Sequence, residues 1–252
     1  MSPIDAEVLA TLRASRVEGA RVVLPPRQLP RSLYERTDRV LRDFGGRWCS
    51  SAQAHVFERD PSEGLARVLE GRDAPRDLGW FATPPSLARA LVARARVRRG
   101  DRALAPAAGE GAIVEELLRA GARVTAVELD PWRVERLRSR FPEATVIEGD
   151  VLTMQPRDLG VFGAVVTCPP WRTWGLRGAD AAHLAHALEL VRYCGSVVAV
   201  VSAEAARGEA RCAPKLRDEL DALGASIEPI EGEAIGVDGP AVIVTLREVG
   251  RC

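Results

Sequence analysis

Two glycines at the end of a predicted strand could bring the backbone close to a ligand. Gly109 and Gly111 lie in the segment 105–111, APAAGEG, which joins a predicted strand to a predicted helix. Glycine allows the tight turn, and a helix start offers N–H groups without backbone partners. No Lys-Ser/Thr pair follows, as a P-loop requires, and Val114 stands where G-x-G-x-x-G has its third glycine. The alternative interpretation is a tight turn without a ligand.

Acidic side chains stand at the ends of the next two predicted strands. Glu128 ends a strand 17 residues after Gly111, where a carboxylate can accept hydrogen bonds from both hydroxyls of a ribose. Asp150 follows the next strand, where a short acid can accept from the exocyclic amine of adenine. Together the two acids predict a cofactor that contains adenosine. Taken alone, Glu128 could instead be an acid at the start of the helix that begins near Pro131.

A proline-rich loop follows the fourth predicted strand, and by itself it predicts a stiff turn with Trp171 in the core. With the preceding loops, however, it resembles the S-adenosylmethionine-dependent methyltransferases. More narrowly, it resembles the N6-adenine DNA methyltransferases in which the cofactor motifs precede the Pro-Pro motif. Methyltransferases of RNA bases and of protein glutamine carry a similar Pro-Pro-aromatic loop. The resemblance covers roughly residues 80 to 250 and rests on 81–84 (FATP), 105–111, 127–131 (VELDP), 149–150 (GD) and 168–171 (CPPW).

The resemblance implies S-adenosylmethionine as the cofactor and assigns seven residues to its binding. Gly109 and Gly111 would approach the methionine part, Glu128 the ribose and Asp150 the adenine. The remaining cofactor-binding residues are Phe81, Thr83 and Pro106. A nicotinamide dinucleotide is a distant alternative, disfavoured by the missing third glycine.

The same resemblance implies methyl transfer to the N6 amine of adenine in DNA, with Cys168, Pro169, Pro170 and Trp171 as the catalytic residues. The carbonyl oxygen of Pro169 would accept a hydrogen bond from the target amine, and Trp171 would stack on the flipped-out base. An amine conjugated to an aromatic ring is a poor nucleophile, and these hydrogen bonds favour a pyramidal nitrogen. Alignment with the sulfonium supplies much of the remaining rate. No metal ion and no general base are required before attack.

The chain departs from the family pattern at two positions. Ala105 stands where the first loop position is usually acidic, and Cys168 stands where Asn or Asp usually precedes Pro-Pro. A thiol is a weak hydrogen-bonding group, so the target amine would lose one of two good acceptors. This substitution leaves three alternatives: a slower enzyme, a different substrate, or a cofactor-binding module without turnover. Cys168 as a covalent nucleophile is disfavoured, because no base to form the thiolate is near it in the sequence.

Arg172, Trp174 and Arg177 follow the Pro-Pro loop and are the predicted substrate-binding residues. Arginine beside an aromatic ring suits phosphate contact and base stacking, although a solvated surface loop is the alternative. We expect nucleic acid as the partner, with DNA first and no membrane. The alternatives are RNA, a protein side chain, or a binding module without catalysis. Because no large recognition domain is evident, sequence recognition would need a partner subunit or the small N-terminal unit.

Strands and helices alternate from residue 81 onward and must position these loops. Helices of about ten residues between the strands predict a mainly parallel sheet with helices on both faces, an α/β fold. The resemblance makes this a Rossmann-like methyltransferase fold with seven strands. The predicted strands are Arg102–Ala105, Arg123–Glu128, Thr145–Glu148, Ala164–Thr167, Ser196–Ser202 and two more near the C-terminus. The predicted helices between them include Pro131–Arg140 and Ala181–Tyr193.

The chain is expected to have three parts: a helical segment 1–24, a small α-β-β-α accessory unit 25–79 and the methyltransferase domain 80–252. Prolines between residues 25 and 30 mark the first boundary, because proline cannot occupy a helix interior. In the accessory unit, Trp48, His55 and Phe57 could form an aromatic nucleic-acid surface. Core packing is favoured for them, because a small unit needs all of its large side chains.

Composition sets the remaining expectations. Lys plus Arg and Asp plus Glu each number 35, so any attraction for nucleic acid must be local. The five cysteines form no C-x-x-C pair, which argues against a zinc site or a disulfide framework and suits a reducing compartment. No apolar run is long enough for a secretory signal or a membrane span. We therefore expect a cytoplasmic protein without a metal ion.

Overall fold

A computed structural model of the protein describes residues 4–26, 28–43, 45–57, 60–70, 82–173, 176–207, 215–230 and 239–249. The chain divides into two compact units, residues 1–77 and 78–252. Within the described ranges, no helix combines the length and the apolar character that a membrane crossing requires.

The N-terminal unit builds one apolar core from three helices and a small antiparallel sheet. Its elements are α1 (Ala6–Arg13), β1 (Arg16–Val17), β2 (Arg21–Val23), α2 (Arg31–Asp43), β3 (Arg47–Cys49), β4 (Ala54–Val56) and α3 (Ser62–Leu69). The strand order is β1-β2-β4-β3. Leucine and valine side chains from all three helices meet Val22 of β2 and Phe57 in the core.

Strands β1 and β2 lie in the segment 1–24, for which the sequence predicted a helix alone. They contain two and three residues, too few to show the alternating pattern by which a strand is recognised. Val22 of β2 pairs with His55 of β4. The sheet therefore contains strands from both 1–24 and 25–79.

The aromatic residues of this unit divide between its core and its surface. Phe57 is buried, and fully buried His55 has its Nε2 atom 2.9 Å from Oδ1 of Asp38. Trp48 is 37% exposed and contacts the rings of Tyr34 and His55 edge-on. Core packing thus accounts for two of the three aromatic residues considered from the sequence.

The larger unit is a seven-stranded, mainly parallel sheet with helices on both faces, which confirms the predicted fold class. Its sheet strands are β5 (Arg102–Pro106), β6 (Arg123–Glu128), β7 (Thr145–Glu148), β8 (Phe162–Thr167), β11 (Val191–Ser202), β12 (Ser226–Ile230) and β13 (Ala241–Val249). A separate hairpin pairs β9 (Arg172–Thr173) with β10 (Leu176–Arg177). The helices are α4 (Pro85–Ala95), α5 (Ala112–Arg119), α6 (Pro131–Arg140), α7 (Pro156–Leu159), α8 (Ala179–Leu190), α9 (Ala203–Ala206) and α10 (Leu216–Ala222), with a 3-10 turn at Val151–Thr153.

The order of the sheet is β12-β13-β11-β8-β5-β6-β7. The five strands from β11 to β7 run parallel, and β13 is antiparallel to both of its neighbours. Successive side chains alternate between the two faces of the sheet. Ala103 and Ala105 pack in a core with α4 and α5, whereas Leu104 packs in a second core with α8 and α10.

Most predicted elements agree with the structure, and β6, β7 and α6 have the predicted bounds. The main difference is at α8, predicted over Ala181–Tyr193, which ends at Leu190 because β11 already begins at Val191. Val191 pairs with Phe162 of β8, and the register shifts before Ser196. This pairing joins residues far apart in the chain, so a local sequence pattern did not reveal it.

The cysteines differ in their chemical state. Cys49 and Cys168 are free thiols, whereas Cys194 is disulfide-bonded. The spacing of the cysteines did not predict this bond, because spacing does not show which parts of the chain meet in space. In the described ranges, no group of three or more His, Cys, Asp or Glu side chains could hold a metal ion.

Candidate cofactor cleft

A cleft of about 820 Å³ opens beyond the carboxyl ends of the parallel strands. After β5 the chain builds β6 and β7 on one side and then returns to place β8 on the other. Such a reversal of strand order is where open α/β sheets bind ligands. The volume lies within the range of about 300–1,000 Å³ that is usual for small-molecule sites. The predicted residues that line the cleft are Thr83, Gly109, Glu128, Asp150, Cys168 and Pro170.

The loop between β5 and α5 has an unusual backbone. Ala107, Gly109 and Gly111 all have positive φ angles, at 54°, 58° and 89°. A non-glycine residue rarely adopts this conformation, which is more frequent at functional sites. A Cβ atom on Gly111 would overlap the side chains of Phe141 and Leu137. Glycine at position 111 is therefore required by the packing of α5 against α6 as well as by the turn.

Glu128 ends β6, and two backbone N–H groups fix its carboxylate in place. Oε2 accepts a hydrogen bond of 2.7 Å from the Gly109 nitrogen, and Oε1 accepts one of 2.9 Å from the Asp130 nitrogen. The side chain of Asp130 caps α6 by accepting from the nitrogens of Trp132 and Arg133. The alternative role of Glu128, as the acid at the start of α6, thus belongs to Asp130.

Glu128 is buried, and nearby N–H groups and an arginine offset part of the effect of burial on its pKa. Only 5% of the residue is exposed, and this burial raises the pKa of the carboxyl. The N–H group of Asp130, the guanidinium of Arg133 and the N–H group of Gly109 oppose the rise. Nη1 of Arg133 lies 4.0 Å from Oε1. The carboxylate is therefore oriented and partly neutralised by the protein itself.

Asp150 follows β7 and begins the 3-10 turn. Its Oδ1 atom accepts a hydrogen bond of 3.0 Å from the Leu152 nitrogen, while Oδ2 has no hydrogen-bond partner among the described residues. Leu129, Val151 and Leu152 also line the cleft, and Leu129 is 46% exposed. The cleft therefore combines an available carboxylate oxygen with apolar side chains, a combination that suits a heteroaromatic ring carrying an amine.

The Pro-Pro loop joins the cleft through Cys168 and Pro170. Cys168 is 8% exposed, and burial raises the pKa of its thiol to about 12 despite a side-chain hydrogen bond with Thr83. The hydroxyl of Thr167 donates to the Pro106 carbonyl oxygen at 2.9 Å. These contacts tie the end of β8 to the segment before α4 and to the glycine loop.

Several predicted residues lie in these loops without lining the cleft in the described structure. They are Pro106, Gly111, Pro169 and Trp171. Trp171 is half-buried and packs against the core that contains α4 and α5. Arg172 and Arg177 face each other across β9 and β10, of which the backbone is described. Phe81 and Trp174 lie outside the described residues.

The cleft also contains charged residues that sequence analysis missed. Arg119 forms ion pairs with Glu115 and Glu116, and Arg140 forms another with Glu115. Arg89 lies 3.8 Å from Glu116 at its nearest atoms. The three- and four-residue spacing from Glu115 and Glu116 to Arg119 was a readable signal of these pairs.

His183 on α8 is the other missed residue of the cleft wall. It is 7% exposed, and its helix is rich in alanine and leucine. The helix carries two histidines, His183 and His186, and neither stands in a motif that signals a site. Only the packing of α8 beside the 3-10 turn brings His183 to the cleft.

Comparisons with known proteins agree with this architecture. The 23S rRNA methyltransferase ErmE has the same fold, with a TM-score of 0.53 and 21% identity over 68% of this chain and 71% of that one. Ribosomal RNA small subunit methyltransferase A of Thermosynechococcus vestitus is 37% identical over 92 residues, which is 36% of this chain and 34% of that protein. A tRNA (guanine(10)-N2)-dimethyltransferase of Methanothermobacter thermautotrophicus is 36% identical over 91 residues, 34% of this chain and 27% of that protein.

These comparisons define a class of fold and no narrower group. No family model matches the chain. The chain spans about a third of the length of the curated relatives that it matches. The larger unit therefore has the Rossmann-like fold of methyltransferases, with the cleft at its reversal of strand order.

Proposed function

We propose that this chain is an S-adenosylmethionine-dependent methyltransferase that modifies a base amine in RNA. One observation carries the proposal: the loops after β5, β6, β7 and β8 bring Glu128, Asp150 and Cys168 to a single cleft. The two named relatives are RNA methyltransferases, and their similarity to this chain supports the choice of acceptor. DNA, expected first from the sequence, stays a prediction without support from these relatives.

The residues of the cleft fit S-adenosylmethionine. Each oxygen of Glu128 accepts one backbone N–H group, and a carboxylate oxygen can accept a second hydrogen bond. The carboxylate therefore retains the capacity to accept both ribose hydroxyls. Oδ2 of Asp150 is available to the adenine amine, and Leu129 offers an apolar surface to the ring.

Cys168 takes a hydrogen-bonding role in this proposal. When bound, S-adenosylmethionine supplies an electrophilic methyl group on a sulfonium. Burial raises the pKa of the thiol to about 12, so we expect the protonated form at physiological pH, and this disfavours a thiolate nucleophile. A hydrogen bond with the side chain of Thr83 opposes part of this rise in pKa. The carbonyl oxygen of Pro169 remains the strong acceptor for the target amine, and Pro170 shapes the adjoining wall.

Base stacking by Trp171 and phosphate contacts by Arg172 and Arg177 complete the proposed acceptor site. Trp171 packs against the core, so stacking on a base requires its ring to offer one face to the base from that position. The hairpin of β9 and β10 carries both arginines directly beyond the Pro-Pro loop. Guanidinium groups at such a place suit the phosphates of a bound strand.

The test is methyl transfer from S-adenosylmethionine labelled in the methyl group. The purified full chain is incubated with unmodified ribosomal and transfer RNA transcripts, with unmethylated DNA and with protein. A Glu128→Ala variant serves as the matched control. We expect label in RNA with the wild type only, and nucleoside analysis then identifies the modified base. Label confined to DNA or protein would overturn the RNA acceptor, and failure to bind the cofactor would overturn the methyltransferase proposal.

A cofactor-binding module without catalysis is the second candidate. The buried, neutral thiol of Cys168 favours it, because the thiol replaces a strong acceptor beside Pro-Pro. Cofactor binding without transfer to any of the three substrates is the outcome that this candidate predicts.

A further inference from the structure

His183 is a polar group of the cleft wall that no part of the proposed reaction uses. It lies on α8, lines the cleft and is 7% exposed. Its Nδ1 atom is buried without a hydrogen-bond partner, and Nε2 has none either among the described residues. The ring as a whole therefore has no hydrogen-bond partner in the described structure, although buried polar groups are usually paired. A ligand in the cleft can supply one at Nε2, because Nδ1 is enclosed.

The surroundings of His183 identify which part of the cleft it serves. Helix α8 contacts the 3-10 turn that Asp150 begins. The carboxylate of Asp150 is close enough to raise the pKa of His183 against the effect of burial. Val151 and Leu152 of the same turn also line the cleft. His183 therefore lies at the same end of the cleft as Asp150, the end proposed to bind adenine.

The protonation state of His183 determines which hydrogen bonds it can make. Burial lowers the pKa of the ring to about 4, and nearby His186 adds to this effect. The imidazole is therefore neutral at physiological pH, with one N–H donor and one acceptor nitrogen. Since Nδ1 is enclosed, Nε2 is the nitrogen left for a ligand, and the neutral ring can carry its proton there.

We propose that His183 recognises the adenine ring of the cofactor together with Asp150. The carboxylate accepts a hydrogen bond from the exocyclic amine, and Nε2–H of His183 donates to N1, the neighbouring nitrogen on the same edge of the ring. Adenine presents a donor beside an acceptor there, which an acid and a neutral imidazole complement. A base with a carbonyl and an N–H group at these positions is rejected. The inference rests on the proposed function, because it names a contact to the same cofactor.

The experiment compares two ligands and three proteins by calorimetric titration. The ligands are S-adenosylhomocysteine and its 1-deaza analogue, which has a C–H group in place of N1. The proteins are the wild type, His183→Phe and His186→Phe. Phenylalanine preserves the ring and removes both nitrogens. His186 is a matched control on the same helix, because it is similarly buried but bonds Glu189 and does not line the cleft.

We expect the 1-deaza change to weaken binding by about tenfold in the wild type and in His186→Phe, the usual effect of one buried hydrogen bond. In His183→Phe the natural ligand binds about tenfold more weakly, and the two ligands bind alike. Thermal unfolding of each protein shows whether the fold is retained.

The outcomes separate this inference from the proposed function. A wild type that binds neither ligand overturns both. Suppose that the wild type binds S-adenosylhomocysteine and that His183→Phe still discriminates against the 1-deaza ligand. This result overturns the role of His183 alone. If His183→Phe weakens the binding of both ligands equally and lowers the melting temperature, His183 contributes to stability. This result also overturns its role in adenine recognition.

Discussion

The two sides of the cleft are held in place by different kinds of contact. On the cofactor side, Glu128 receives two backbone N–H groups and Asp150 receives one, so main-chain geometry fixes both carboxylates. On the acceptor side, the thiol of Cys168 has its hydrogen bond with the side chain of Thr83. Beyond it come two strands of two residues each. The cofactor side is thus built by the backbone, whereas the acceptor side depends on individual side chains.

The largest expected effect concerns Cys49 and Cys168, the free thiols within the described ranges. Cys168 has a pKa of about 12, whereas hydrogen bonds from Ser51 lower the pKa of Cys49 below the ordinary value of 9.0. At pH 8 the thiolate fractions then differ by at least about a thousandfold, and burial of Cys168 adds to the difference in reactivity. Iodoacetamide labelling followed by peptide mass spectrometry measures the ratio. Equal rates would mean that the acceptor side is open and Cys168 activated.

Loss of the Glu128 carboxylate is expected to disrupt the cofactor side. Glu128→Ala removes both ribose acceptors and the bond to Gly109, and two charge-assisted hydrogen bonds correspond to about a hundredfold in affinity. Calorimetry with S-adenosylhomocysteine measures this loss. An affinity within a few-fold of the wild type would remove Glu128 from the site.

The same carboxylate predicts a pH dependence of binding. Burial raises the pKa of Glu128 above 4.5, and the ionised form is the better acceptor. Affinity should therefore fall as the pH drops through the raised pKa, at a higher pH than an exposed glutamate would give. Glu128→Ala should lack this component, which titrations between pH 5 and pH 8 can show.

Restoring an acceptor tests the acceptor side. Cys168→Asn places a carbonyl oxygen before Pro-Pro, and the gain of one hydrogen bond to the reacting amine should raise the turnover rate by about tenfold. Cys49→Ser is the control, since Cys49 belongs to the N-terminal unit. Single-turnover methyl transfer separates chemistry from binding. Absence of transfer by both the wild type and the Cys168→Asn variant would support the module without catalysis.

The smallest effect is expected at Asp150. Asp150→Asn keeps an oxygen that can cap the 3-10 turn and accept from the adenine amine, but it removes the charge. Affinity should fall by about fivefold, because neutral hydrogen bonds are weaker than charged ones. Calorimetry measures the affinity of Asp150→Asn together with that of Asp150→Ala. The alanine variant loses both contacts and shows the full size of the effect. A neutral result for Asp150→Ala would place adenine elsewhere.

The sequence predicted those parts of the site that local order determines. Glu128 and Asp150 stand at strand ends, and the apolar runs that precede them in the sequence allowed those ends to be predicted. His183 was missed because its position depends on how α8 packs beside the turn after Asp150, a contact between distant parts of the chain. The G-x-G spacing predicted a tight turn at Gly111. The structure adds a second requirement for glycine there, because the ring of Phe141 occupies the space that a side chain would fill.

The antiparallel strand β13 has a consequence for how the chain folds during synthesis. β12 pairs only with β13 among the described strands, and β13 also covers the edge of β11. Because β12 precedes β13 in the chain, it waits without a partner until residues 241–249 have left the ribosome. Until then the edge of β11, rich in valine, is open to pairing with other chains. Interruption of synthesis between residues 230 and 241 would therefore leave an aggregation-prone intermediate with an incomplete sheet.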